Sequence, residues 1–130
     1  MKTYTIDDDQ ISNFLTERLL AEAGFATEIH SFLSAEDAFN YVVQSLDTNI
    51  PDIIFLDLNM PRMNGWEFLD ALTPYNDSFL GKCRIYILTS SLDTSDCARS
   101  EQYELVYGFI HKPLKPEDIQ VILAEIEDRK

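Results

Sequence analysis

Three carboxylates, a hydroxyl and an ammonium stand out by where the sequence puts them. Asp7 and Asp8 follow Lys2 to Ile6, Asp57 ends the run Ile53-Ile54-Phe55-Leu56, Thr89 follows Cys83 to Leu88, and Lys112 follows Gly108 to His111. Each stands where an apolar stretch gives way to a turn. Taken alone, Asp57 reads equally well as a turn residue, because Asp is common in turns. Taken together, the residues describe a site. Carboxylates packed together repel and are costly unless a cation joins them. A hard divalent ion with oxygen ligands resolves that conflict. Mg²⁺, held by one or two carboxylates with water and substrate phosphate, suits this inventory better than Zn²⁺. Lys112 as a point charge and Thr89 as a hydroxyl donor suit a second set of anionic oxygens. The chemistry supported is phosphoryl transfer to Asp57, since a carboxylate can act as nucleophile once the incoming phosphate is neutralised.

Such convergence requires particular elements. Four successive hydrophobes at Ile53 to Leu56, with no polar alternation, read as a strand buried on both faces, as in a parallel sheet covered by helices. Ile11, Phe14, Leu15 and Leu19 recur at helical spacing, with Asp9 as the N-cap and Gly24 as the stop. Ala26 to Phe32 reads as a second strand. Ser34 resembles an N-cap followed by the acids Glu36 and Asp37, and Ala35, Ala38, Phe39, Val42, Val43 and Leu46 trace a helical stripe that ends at Asn49 to Pro51. After Gly65, Trp66, Leu69 and Leu72 mark a short helix that Pro74 is expected to stop, with Tyr75 to Lys82 an irregular loop. Asp93 to Glu104 reads as a thinly anchored helix in which only Cys97 and Ala98 offer apolar burial. Pro116 suits a first helical position, and Ile119, Ile122, Leu123 and Ile126 form a clean stripe. Strands alternating with helices predict one parallel sheet with right-handed crossovers, whose strand ends share an edge where ligands bind.

Composition narrows the function. A chain of 130 residues is one ordinary domain, large enough to bury a core without staples. With 10 Lys and Arg against 23 Asp and Glu, the net charge of -13 argues against nucleic-acid partners and anionic membrane surfaces. No run approaches the roughly 18 apolar residues of a membrane span, and no signal-peptide core opens the sequence, so a cytoplasmic protein without membrane insertion is expected. Cys83 and Cys97 lack metal or redox spacing and read as reduced thiols, and His30 and His111 fit no ligand pattern.

The acid pair after the first strand, Asp57-Leu58-Asn59-Met60-Pro61 with Gly65, Thr89-Ser90 and Lys112-Pro113 together resemble the response-regulator receiver domain of two-component signalling, of the single-domain chemotaxis-regulator type. The resemblance covers essentially the whole chain. It implies a flavodoxin-like, doubly wound, five-stranded parallel α/β sheet, (βα)5, with residues 1–130 a single receiver domain and no output domain. It implies that Asp57 accepts a phosphoryl group from a histidine kinase or histidine phosphotransfer protein. Asp8, Asp57 and the backbone carbonyl of Asn59 would bind Mg²⁺ directly, and Asp7 through water. Lys112 would pair with the phosphoryl oxygens, Thr89 would donate to them, and Phe109 would serve as the switch aromatic. The fourth helix, fifth strand and fifth helix would then meet a downstream protein of unknown identity. A cis Lys112-Pro113 bond is also implied.

The departures are small. The acids form a triple, Asp7-Asp8-Asp9, Ser90 stands where the family often has Ala, and Phe109 carries no hydroxyl. Asn59 and Ser91 flank the site where family members tune hydrolysis. Apart from phosphorylation and dephosphorylation of its own Asp57, the chain is not expected to be an enzyme. The competing enzyme reading is a haloacid dehalogenase-like phosphatase. Its nucleophile belongs on the first strand and its acid pair last, and here the order is reversed, with Asn59 where that chemistry needs an acid. A flavodoxin-like binding module would need a phosphate-cradling loop after the first strand, and none follows.

Overall fold

Every strand is placed relative to β3, Ile53–Leu56, which is buried along its whole length. The computed structural model describes residues 1–25, 28–44, 46, 50–90 and 94–128. Around β3 lie β1 (Lys2–Ile6), β2 (Glu28–Phe32), β4 (Arg84–Thr89) and β5 (Val106–His111), all parallel, in the order β2-β1-β3-β4-β5. Five main helices pack on the two faces: α1 (Gln10–Glu22), α2 (Ala35–Val43), α3 (Gly65–Leu72), α4 (Thr94–Ser100) and α5 (Pro116–Asp128). The doubly wound α/β fold expected from the alternation is therefore the one observed.

Side chains of a strand alternate between faces, so one sheet feeds two cores. Tyr4, Ile54, Leu56, Ile85 and Ile87 pack with Ala38 and Val42 of α2 and Phe68 and Leu69 of α3. On the other face Ile53, Phe55 and Tyr86 pack with Leu20 of α1 and Ile119 and Ile122 of α5. Each such side chain contributes on the order of 1.5–3 kcal/mol through burial. Gly108 is needed at close quarters, because a Cβ there would stand 2.8 Å from the ring of Tyr86.

Several elements differ from the sequence reading. Pro74 does not end the helical segment. It opens a 3-10 turn, Thr73–Tyr75, that runs into one α-turn, Asn76–Phe79, and Phe79 is fully buried. Proline suits a first turn because its missing N–H has no partner to lose there. The stretch expected to be an irregular loop is thus largely helical. β5 begins at Val106 rather than Gly108, and β4 runs from Arg84 to Thr89 rather than from Cys83 to Leu88. α4 covers only Thr94–Ser100 of the span assigned to it, and Ala98 is exposed while Ser100 is buried. Ala26, Asn49, Ser91 and Asp93 lie outside the described residues.

The stripe of α1 is divided. Ile11, Phe14 and Leu15 face out, 70 %, 58 % and 54 % exposed, while Leu19 packs half-buried against the core and Asn13, Thr16 and Leu20 face in. Asn13 turns inward because its amide donates to the carbonyls of Asp7 and Phe32, at 2.9 and 3.2 Å. Those bonds satisfy two strand-end acceptors that burial would otherwise leave costly.

Candidate functional site

The carboxyl ends of β1 and β3 bring the acids together. The Asp57 N–H donates to the Ile6 carbonyl at 3.0 Å, and the Asp7 N–H to that of Phe32 at 3.1 Å, so both residues extend the ladder by one rung. Asp9 leaves the cluster to cap α1, its carboxylate accepting from the N–H groups of Ile11 and Ser12. Carboxylate oxygens of Asp7, Asp8 and Asp57 all lie within 4.8 Å of one another, with Asp7 and Asp57 buried and Asp8 exposed. Lys112 reaches in from the end of β5, its Nζ 2.5 Å from Asp7 Oδ2 and 3.7 Å from Asp57 Oδ2.

One ammonium does not neutralise three carboxylates. Burial, with the neighbouring Asp7 charge adding to it, pushes the Asp57 carboxyl up to about 6, against the opposing pull of Lys112 and the Asn59 N–H. Asp57 remains predominantly ionised above neutral pH. An all-oxygen donor set with excess negative charge fits a hard divalent cation such as Mg²⁺, and does not resemble a thiolate or imidazole site.

The connecting loop is held tightly. The Asn59 N–H donates to Asp57 Oδ1 at 3.3 Å, and the Gly65 N–H to the Leu58 carbonyl at 3.0 Å. A Cβ on Gly65 would sit 2.8 Å from the Asp57 carbonyl oxygen, so only glycine admits this approach. Asn64 then starts α3 with a capping box closed by Glu67. Thr89 ends β4, buried, its carbonyl accepting from the Lys112 N–H at 2.7 Å. Phe109 pairs in register with Ile87 and packs, half-buried, against the α2–α3 core. The Lys112-Pro113 peptide is cis.

Two features escaped the sequence reading. One is a groove of about 280 Å³ beside the acids, lined in part by Ile11, Leu15, Lys112, Pro113 and Leu114. The other is a cluster of Trp66, Arg99, Tyr103 and Asp70 between α3 and α4. Apolar residues at helical spacing signalled α1, but nothing in the spacing says which face is turned out.

A five-stranded parallel sheet in this order, with an acidic site at the β1/β3 switch point, defines the flavodoxin-like α/β class. Residues 4–124 match the response regulator receiver domain, and the chain belongs to that family. A two-component response regulator from Cytophaga hutchinsonii superposes with a TM-score of 0.90 at 31% identity, over 97% of this chain and 96% of that one. The hybrid signal transduction histidine kinase C of Dictyostelium discoideum is 32% identical over 98% of this chain but only 10% of its own length. The nitrate/nitrite response regulator protein NarL of Escherichia coli is 30% identical over 88% of this chain and 49% of its own length. The chain thus spans half or less of the length of these two curated relatives. Among the described residues, no helix is long and apolar enough to cross a membrane.

Proposed function

We propose that this chain is a phosphoacceptor of a two-component relay, taking a phosphoryl group from a phosphohistidine-bearing protein onto Asp57. The observation that carries the proposal is the meeting of Asp7, Asp8 and Asp57 within 4.8 Å, with Lys112 opposite them. An ionised Asp57 oxygen attacks phosphorus, the P–N bond to the donor imidazole breaks, and that nitrogen takes the electron pair. The product is an acyl phosphate on Asp57, later hydrolysed by water back to the carboxylate. Asp8, Asp57 and the Asn59 carbonyl, with Asp7 beside them, would hold Mg²⁺. When bound, the ion offsets charge on the transferring oxygens. Lys112 pairs with the phosphoryl oxygens and Thr89 donates to them. Thr89 already has a contact in the unmodified chain.

The donor is proposed to be a histidine kinase or histidine phosphotransfer protein, met in the cytoplasm, that docks a helix on Ile11, Phe14 and Leu15. Ile11 and Leu15 line a groove that also takes in Lys112 of the acidic site, so a helix seated there carries its imidazole toward Asp57. Output runs through Thr89 and Phe109 to the face of α4, β5 and α5, where a downstream protein binds.

Intact mass after incubation with acetyl phosphate and Mg²⁺ tests the chemistry. A single phosphoryl adduct is expected, dependent on Mg²⁺ and lost in Asp57→Asn, in which the nucleophilic oxygen is gone and the shape kept. An adduct that survives Asp57→Asn overturns the assignment.

A further inference from the structure

α4 has almost no apolar anchorage of its own: Ala98 is exposed, Cys97 half-buried, and Ser100 is the buried residue of the helix. What fastens it lies at its C-terminal end. The guanidinium of Arg99 stands 4.6 Å from the Trp66 ring, and Tyr103 stacks on the same indole with centroids 5.7 Å apart and planes 27° from parallel. The Tyr103 hydroxyl donates to Asp70 Oδ1 at 2.7 Å, one α3 turn beyond Trp66. Two residues from the α4 end thus grip two residues of α3 through a buried indole, 8 % exposed.

The gripped helix is also the one that abuts the phosphoacceptor. Gly65, directly before Trp66, donates to the Leu58 carbonyl and leaves no room for a Cβ against the Asp57 carbonyl oxygen. The start of α3 is thus tied to the Asp57-Leu58 backbone by a hydrogen bond and by close approach, which offers a path along which a shift there reaches Trp66.

From this juxtaposition we propose that Trp66, Arg99, Tyr103 and Asp70 form a clamp that holds α4 against α3 in the unmodified chain and opens when Asp57 is phosphorylated. The clamp rests on the phosphoacceptor reading above. It supplies a route to α4 separate from Thr89 and Phe109, passing through main chain rather than through a hydroxyl and a core ring. Because coupling is reciprocal, whatever opens the clamp also favours the phosphorylated state. Arg99 and Tyr103 are positioning residues here, acting on Asp57 through α3.

Trp66 is the single tryptophan, so its emission reads the clamp directly. Acetyl phosphate with Mg²⁺ is added while adduct mass and Trp66 emission are followed together, in the full chain and in an Arg99→Gln/Tyr103→Phe double variant that keeps the aromatic ring. The unaltered chain should change emission in step with the adduct. The double variant should start near the changed emission, move little further, and gain the adduct about fivefold faster or more, because the open population that reacts is larger. A merely structural cluster would lower the melting temperature of the variant without speeding the adduct, and that result overturns the clamp. So does adduct formation with emission unmoved, or an emission change of full size in the double variant. Failure of the unaltered chain to gain any adduct overturns the phosphoacceptor reading, and the clamp with it.

Discussion

Burial governs Asp57 before any partner arrives. Its carboxyl, raised from 3.8 to about 6, binds a proton more tightly in the folded chain than in the unfolded one. The native state is therefore unpenalised below about pH 4 and loses stability as pH climbs through 6, by on the order of 2–3 kcal/mol. Asp57→Asn removes that ionisation. In Mg²⁺-free buffer the variant should melt higher than the unaltered chain at pH 7.5, the gap closing by pH 4. A gap independent of pH would contradict the assigned cause. Taken alone this residue was only a turn acid by its position; it stood out because Asp7, Asp8, Thr89 and Lys112 fall at the ends of neighbouring strands. The crowding of its charge was legible too, from acids and a lysine placed at the ends of parallel strands; what spacing did not show is how far burial, the largest cause, raises this one carboxyl. Tyr103 was unreadable because its partners Trp66 and Asp70 belong to another helix.

At the scale of elements, periodicity located α1 and left its orientation open. Both faces of the helix repeat at about 3.6 residues. The choice between them was made by two hydrogen bonds from Asn13 to strand-end carbonyls, a tertiary event invisible in spacing. Pro74 was misread because proline breaks a helix from within yet suits a first turn, and only the 3-10 segment reveals which position it holds. The outward stripe of α1 has a measurable consequence. Ile11→Ser/Phe14→Ser should leave stability within about 0.5 kcal/mol, because both side chains are already largely in water. It should also leave the acetyl phosphate adduct unchanged, while slowing phosphoryl uptake from a phosphohistidine donor protein at least tenfold. Equal slowing with both donors would place the defect in the acidic site and remove α1 from donor recognition.

For the molecule as a whole, a charge of -13 includes one edge where three carboxylate oxygens lie within 4.8 Å of one another. A cation that binds the native state alone must stabilise it, by about 1.4 kcal/mol at ten times its dissociation constant. Melts at pH 7.5 should rise roughly 4 °C or more with saturating Mg²⁺, and Asp8→Ala should abolish the rise. An unchanged melting temperature in the unaltered chain would mean that the three carboxylates do not hold the ion. The sheet itself carries a different consequence. It keeps two cores apart, the α1 groove on one side and Trp66 and Phe109 on the other, with the acids at the rim they share. Substitutions on one side rarely disturb packing on the other, since additivity holds for side chains that share no neighbours. Under the proposed function, choice of donor and choice of target can therefore drift independently over evolutionary time, and a designer could exchange the α1 surface for another without rewiring what lies behind it.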